Sequence, residues 1–114
     1  VDLTNKAADL YAELGSKYPN QAAYATYMRA NLRNSLDNNM EKSLAKADYQ
    51  KLVDILSAKA DRTNGENTML KTAYHYMMFN SYINKDVAGA KSYADKILAI
   101  DPDYQAAQQI RDLK

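Results

Sequence analysis

The 114-residue chain contains no cysteine, and it has only one histidine, two prolines and three glycines. Without cysteine, the chain forms no disulfide, holds no metal through thiolates and has no thiol nucleophile. His75 cannot by itself supply a histidine-rich metal site. The glycines are isolated at Gly15, Gly65 and Gly89, which excludes a glycine-rich phosphate-binding loop. We therefore expect neither a metal nor a cofactor.

An excess of charge and long apolar runs are also missing. The chain has 15 basic and 14 acidic residues, a net charge of +1, and the two signs are interspersed. No basic stripe is present to neutralise nucleic-acid phosphates. No apolar run reaches the length that a bilayer requires, and no signal-peptide pattern is visible. We expect no nucleic-acid partner and no membrane insertion, while the compartment stays open, with export or a periplasmic location among the alternatives.

What is present is the composition of an ordinary globular domain, with 46% hydrophobic and 25% charged residues. The length predicts one domain over residues 1–114. A chain of this size buries about two thirds of the surface that its unfolded form exposes, enough for a core without disulfides or metals.

Apolar residues recur at helical spacing in six segments, which predicts an all-α fold. Turn residues separate the segments at Pro19-Asn20, Asp37-Asn38-Asn39 and Asn64-Gly65, since these residues end helices or tolerate a positive φ. The predicted helices cover residues 2–18, 21–36, 41–59 and 66–84, a fifth segment from residue 87 to Asp101-Pro102, and a short helix in the tail.

One spacing occurs three times in these helices. A small residue is followed by a core residue four positions later and by a helix-ending residue after eight more. The copies consist of Ala7, Tyr11 and Pro19; of Ala45, Tyr49 and Ser57; and of Ala90, Ala94 and Pro102. They recur after roughly 38 and 45 residues. The pattern resembles the second helix of the tetratricopeptide repeat, a helix pair with a period of about 34 residues.

This resemblance is most specific in the stretch AKSYADKILAIDPDYQAA, residues 90–107. It implies an antiparallel helix-pair repeat array of about two and a half repeats with a C-terminal capping helix. The tyrosine-rich and asparagine-rich composition is also similar to that of C-terminal repeat regions of exported proteins from anaerobic Gram-negative bacteria. Because the chain opens on the second helix of a pair, we expect it to be the C-terminal part of a longer bacterial protein of this kind.

The resemblance implies an interaction scaffold that binds a protein or peptide on the concave face formed by the first helix of each pair. With Tyr24 and Tyr27 on the packed side of the second helix, Arg29 and Arg33 would lie on the concave face and suit an acidic or C-terminal peptide carboxylate. The corresponding residues of the fourth helix are His75, Phe79 and Tyr82. Alternatively, Arg29 and Arg33 belong to a solvated face, and His75 is a structural group rather than a partner contact or a base.

Two other functions are alternatives to the interaction scaffold. Ten tyrosines could line a groove that binds a small molecule or a glycan. Catalysis ranks third, because the sequence has no GxSxG or HExxH motif and because carboxylates such as Asp48 are expected on solvated helix faces. Finally, Leu3, Leu10 and Leu14 form an apolar stripe on the first helix that predicts self-association of the chain.

Overall fold

The computed structural model describes residues 2–17 and 21–113, and the regular structure within them is helical. The all-α prediction is therefore confirmed for these residues. A short 3-10 helix occupies Asn38–Met40. The α-helices are α1, Asp2–Lys17; α2, Ala22–Ser35; α3, Lys46–Ser57; α4, Asn64–Ile83; α5, Val87–Ile100; and α6, Gln105–Arg111.

The chain divides into two compact units, and each is described by itself. Unit 1 comprises Val1–Ala60 and contains α1, α2 and α3, whereas unit 2 comprises Asp61–Lys114 and contains α4, α5 and α6. The organisation of residues 1–114 as one domain stays a prediction. None of the helices in the described part of the chain is long and apolar enough to cross a membrane.

In unit 1, the middle helix α2 packs against both α1 and α3. The residues buried on α2 are small, namely Ala25, Thr26 and Ala30, and Ala8 of α1 is also buried. Small side chains allow helix backbones to approach closely, so that the larger side chains of the core come from α3. These are Tyr49, Leu52, Val53 and Leu56.

The connection between α2 and α3 is longer than the sequence predicted. The turn at Asp37-Asn38-Asn39 is present, but α3 begins at Lys46 instead of residue 41. Backbone N–H groups of Lys42 and Leu44 donate to the Asp37 carboxylate at 2.8 and 3.0 Å. These bonds, together with positive φ angles at Asn39, Met40 and Ser43, replace the expected first turn of helix.

The carboxylate of Asp37 is buried at the centre of this connection. Burial raises its pKa, but the N–H groups of Lys42, Leu44 and Ser43 and the charge of Lys42 outweigh that effect. The pKa of Asp37 therefore lies below its ordinary value, and the loop is held together by an ionised carboxylate at neutral pH.

In unit 2, α5 packs against both α4 and α6. Helix α4 is apolar around most of its circumference, as predicted. Its buried apolar residues are Leu70, Ala73, Tyr74, Tyr76, Met77 and Met78. The buried residues of α5 are Ala90, Ala94 and Ile97, and α6 adds Ala107 and Ile110.

Helix α4 begins earlier than predicted, because Asn64-Gly65 is its first turn and not a loop. Thr63 forms a capping box with Glu66: the Thr63 hydroxyl accepts from the Glu66 N–H at 3.1 Å, and the Glu66 carboxylate accepts from the Thr63 N–H at 3.0 Å. This reciprocal pair satisfies backbone donors of the first turn and outweighs the turn tendency of Asn64-Gly65. The end of α5 before Asp101-Pro102 agrees with the prediction.

The three copies of the repeated spacing differ in burial. Ala45 and Tyr49 are buried in unit 1, and Ala90 and Ala94 are buried in unit 2. In α1, however, Ala7 and Tyr11 are only half-buried, and the buried alanine is its neighbour Ala8. Pro19 lies outside the described residues. The first copy therefore lies at the border between the packed face of α1 and its exposed face.

Candidate functional site

Arg29 and Arg33 lie on the face of α2 that packs against α3. Their Nη1 atoms lie 3.7 and 3.4 Å from the two carboxylate oxygens of Asp48 on α3. The assignment of these arginines to a face opposite the packed side was wrong, because the packed face of α2 is built from small residues that leave room for them. Tyr24, expected on the packed side, is exposed. A partner-binding role for Arg29 and Arg33 stays a prediction.

Asp48 was expected on a solvated face and is instead buried, with 5% of its surface exposed. The sequence did contain the signal, since Asp48 is four residues before Leu52 and eight before Leu56, and both leucines are buried. A carboxylate on the same helix face as buried leucines needs a cation beside it within unit 1. Arg29 and Arg33 supply two.

A small polar pocket lies beside this ion-pair cluster. Its volume is about 190 Å³. It is lined by Tyr11 and Ala12 of α1, by Ala22, Thr26 and Arg29 of α2, and by Asp48 and Lys51 of α3. All three helices of unit 1 thus contribute to it, and the chemically useful groups are two cations, one carboxylate and two hydroxyls.

The outer face of α1 carries an apolar stripe, consisting of Leu3, Ala7, Leu10 and Leu14. Leu3 is 80% exposed and Leu10 is 65% exposed. Ala7, Leu10 and Leu14, together with Tyr11, line an open trough of about 390 Å³. Exposed leucines that adjoin one another on a helix form a surface where another protein can bind.

In unit 2, His75 belongs to a cluster of aromatic side chains. Its Nδ1 atom is 2.8 Å from the hydroxyl of Tyr104 at the start of α6, and its ring centroid is 4.7 Å from that of Phe79. Burial lowers the pKa of His75 below 6.5, so the ring is neutral at pH 7. In the tautomer with the proton on Nε2, the Tyr104 hydroxyl donates to Nδ1. His75 thereby links α4 to α6.

Phe79 and Tyr82 continue along the same side of α4 as His75, at intervals of four and three residues. Phe79 is half-buried, whereas Tyr82 is 45% exposed. Next to it, Ile83 is also exposed. Of the three predicted contacts in unit 2, Tyr82 is thus the side chain most accessible to a partner.

No set of three or more histidine, cysteine, aspartate or glutamate residues within residues 2–17 and 21–113 is arranged to hold a metal ion. Comparisons with protein-family models, curated proteins and solved structures found no match.

Proposed function

We propose that the chain is a non-catalytic protein-interaction domain and that the apolar stripe of α1 is one of its binding surfaces. The observation that supports this proposal most directly is the exposure of Leu3 and Leu10. Burying a leucine side chain contributes about 1.5–3 kcal/mol. A partner that covers the stripe would therefore gain substantial binding free energy.

The occupant that fits this stripe best is a second copy of α1 running antiparallel to the first. Leu3, Ala7, Leu10 and Leu14 follow alternating spacings of four and three residues, as in the seam of a coiled coil. In an antiparallel pair, Leu3 would face Leu14 of the second copy, and Ala7 would face Leu10. A two-fold axis repeats each of these contacts, as in most homodimers.

The charges beside the stripe favour the same arrangement. Lys6 and Glu13 are exposed and flank the stripe on one side, seven residues apart. In the antiparallel register that pairs the leucines, Lys6 of each copy lies opposite Glu13 of the other. Opposite charges at the rim determine register and orientation more than they raise affinity.

Substitution of the stripe tests the proposal. Leu10→Asp removes an apolar contact twice in a symmetric dimer, so we expect the dissociation constant to rise by at least about 100-fold. Analytical ultracentrifugation over a range of concentrations measures the change. The matched control is Leu44→Asp, which alters an exposed leucine of the same unit outside α1.

Charge reversal tests the register. Lys6→Glu or Glu13→Lys alone should weaken the dimer, and the double variant should restore it. A protein that stays monomeric at high concentration would contradict self-association and leave the stripe to a different protein. If the wild type, Leu10→Asp and Leu44→Asp dimerise equally, the stripe is not the dimer interface.

The proposal includes the arrangement of the helix pairs as a tetratricopeptide-like array whose concave face binds an acidic or C-terminal peptide. Arg29 and Arg33 are half-buried near Asp48, so a peptide carboxylate would compete with Asp48 for them. In unit 2, Tyr82 offers an exposed aromatic contact. Loss of binding to an acidic peptide in Arg33→Ala, but not in Tyr24→Ala, would support this role of unit 1, and Tyr82→Ala tests unit 2 separately. Equal binding by all three variants would contradict it.

The alternative function is binding of a small molecule or glycan in a tyrosine-lined groove. A glycan site would need several aromatic walls and a volume of several hundred Å³. Among the described residues, Tyr11 is the one aromatic side chain lining the polar pocket and the trough described above. These cavities therefore give less support to a glycan than the exposed stripe gives to a protein.

A further inference from the structure

The polar pocket of unit 1 contains buried groups that lack hydrogen bonds. The Nε atom of Arg29 and the Oδ2 atom of Asp48 are both buried, and neither has a hydrogen-bond partner among the described residues. The contact of Asp48 Oδ2 with Arg33 Nη1, at 3.4 Å, is an ion pair without hydrogen-bond geometry. Since buried polar groups in folded proteins are nearly always hydrogen-bonded, a donor and an acceptor beside one pocket indicate that something polar occupies it.

The charges and the volume of the pocket restrict what this occupant can be. Arg29 and Lys51 contribute two positive charges to the walls, and Asp48 contributes one negative charge. The excess of one positive charge favours a monoanion. The volume of about 190 Å³ is similar to that of an engineered cavity of about 150 Å³ that binds benzene. The ligand is therefore much smaller than a peptide segment or a disaccharide.

The Asp48 carboxylate adds a second requirement. An anion alone would be repelled by Asp48, so the ligand must also carry a hydrogen-bond donor next to its negative charge. A hydroxyl supplies that donor without adding charge. Thr26 and Tyr11 provide further hydroxyls to the wall, and Ala12 and Ala22 leave space because their side chains are small.

We propose that this pocket binds a short α-hydroxy acid. Arg29 and Lys51 hold the carboxylate, and Asp48 accepts a hydrogen bond from the hydroxyl. Tyr11 of α1 lines both this pocket and the trough of the apolar stripe, but the charged groups that hold the ligand belong to α2 and α3. Variants of Leu10 and of Lys51 therefore distinguish failure of one proposal from failure of the other.

Titrations of the full chain with sodium lactate and sodium glycerate test the site by amide NMR. We expect saturable shifts of the amides of Thr26, Arg29, Asp48 and Lys51. Propionate lacks the hydroxyl and should bind at least about tenfold more weakly, and 1,2-propanediol lacks the charge and should give no saturable shift. Alanine, which is zwitterionic, distinguishes an amino-acid site from a hydroxy-acid site.

Lys51→Gln provides the variant test, because Lys51 is exposed and its replacement should leave the fold intact. We expect a loss of lactate affinity of at least about tenfold. Lys46→Gln is the control, since it removes an exposed lysine of α3 that does not line the pocket. The proposal is overturned if no hydroxy acid gives saturable shifts, which would leave water as the occupant. It is also overturned if alanine or propionate binds as well as lactate, or if Lys51→Gln binds like Lys46→Gln.

Discussion

Replacing Asp48 by alanine should destabilise the protein, because it leaves two arginines without their carboxylate. The side chain of Asp48 is 7% exposed and lies near Nη1 of both Arg29 and Arg33. In Asp48→Ala these guanidinium groups would remain on the packed face of α2 with no opposite charge. A buried charge that loses its partner is costly because the interior solvates it poorly.

The magnitude follows from the exposure of the arginines. Breaking a fully buried ion pair costs about 3–5 kcal/mol. The side chains of Arg29 and Arg33 are 26% and 32% exposed, so water can solvate part of each charge. We therefore expect the free energy of unfolding to fall by about 2 kcal/mol, which for a chain of this size lowers Tm by about 8 °C.

Urea and thermal unfolding followed by circular dichroism measure this loss. The control is Asp54→Ala on the same helix, because Asp54 is exposed and hydrogen-bonded to Gln50 at 3.1 Å. Its effect should stay within about 0.5 kcal/mol. The double variant with Arg33→Ala should lose less than the sum of the single variants. If Asp48→Ala is no more destabilised than Asp54→Ala, the ion-pair cluster does not stabilise unit 1.

Two further comparisons concern glycines in the first turns of α4 and α5 and an alanine on the packed face of α5, and the same unfolding experiments measure them. Gly65→Ala should stabilise the protein by about 0.4–1 kcal/mol, since Gly65 has a helical backbone and the nearest atom to a new Cβ is 3.9 Å away. Gly89→Ala should give no gain, because its Cβ would lie 2.3 Å from Oδ2 of the Asp86 side chain that caps α5. Equal gains in the two variants would contradict this. Ala90→Leu should destabilise by about 1–3 kcal/mol because Ala90 is fully buried. The exposed Ala88→Leu should change stability little, and an equally small change in Ala90→Leu would show that α5 is loosely packed.

The sequence predicted the number and order of the helices because their strongest signals are local. Apolar residues at helical spacing identified all six segments, and Asp37 and Asp101 were correctly placed at helix ends. Ala45 and Ala90, the small residues that open the second and third copies of the repeated spacing, are both buried. These features depend on neighbours within a few residues along the chain.

The errors in helix boundaries came from side chains that bond to the backbone. Asp37 accepts hydrogen bonds from the N–H groups of Lys42 and Leu44, five and seven residues away. The periodicity of apolar residues does not indicate such bonds. The capping box of Thr63 and Glu66 could have been recognised, because a threonine followed three residues later by glutamate is a known helix start. The prediction of a loop at Asn64-Gly65 was wrong, because the capping box stabilises helix at these residues.

The orientation of α2 was the most consequential error for function. A helix with tyrosines on one side and arginines on another was expected to bury the tyrosines. Instead, Arg29 and Arg33 lie on the packed side, because Asp48 of α3 provides a buried charge for them. That pairing joins residues at least 15 positions apart in the chain. The sequence of either helix alone does not reveal such a contact.

A pH dependence of stability should arise from His75. The chain has one histidine, and burial beside Phe79 and Tyr104 lowers its pKa in the folded state. As the pH falls, the unfolded chain takes up the proton first, near pH 6.5, because its pKa is the higher of the two. The free energy of unfolding should therefore be highest above pH 6.5 and decrease until the folded ring is also protonated.

Urea midpoints measured between about pH 7.5 and pH 5.5 cover this range with little protonation of carboxylates. His75→Gln should give a flatter profile, and a wild-type midpoint that stays constant or rises on acidification would refute the burial of a neutral ring.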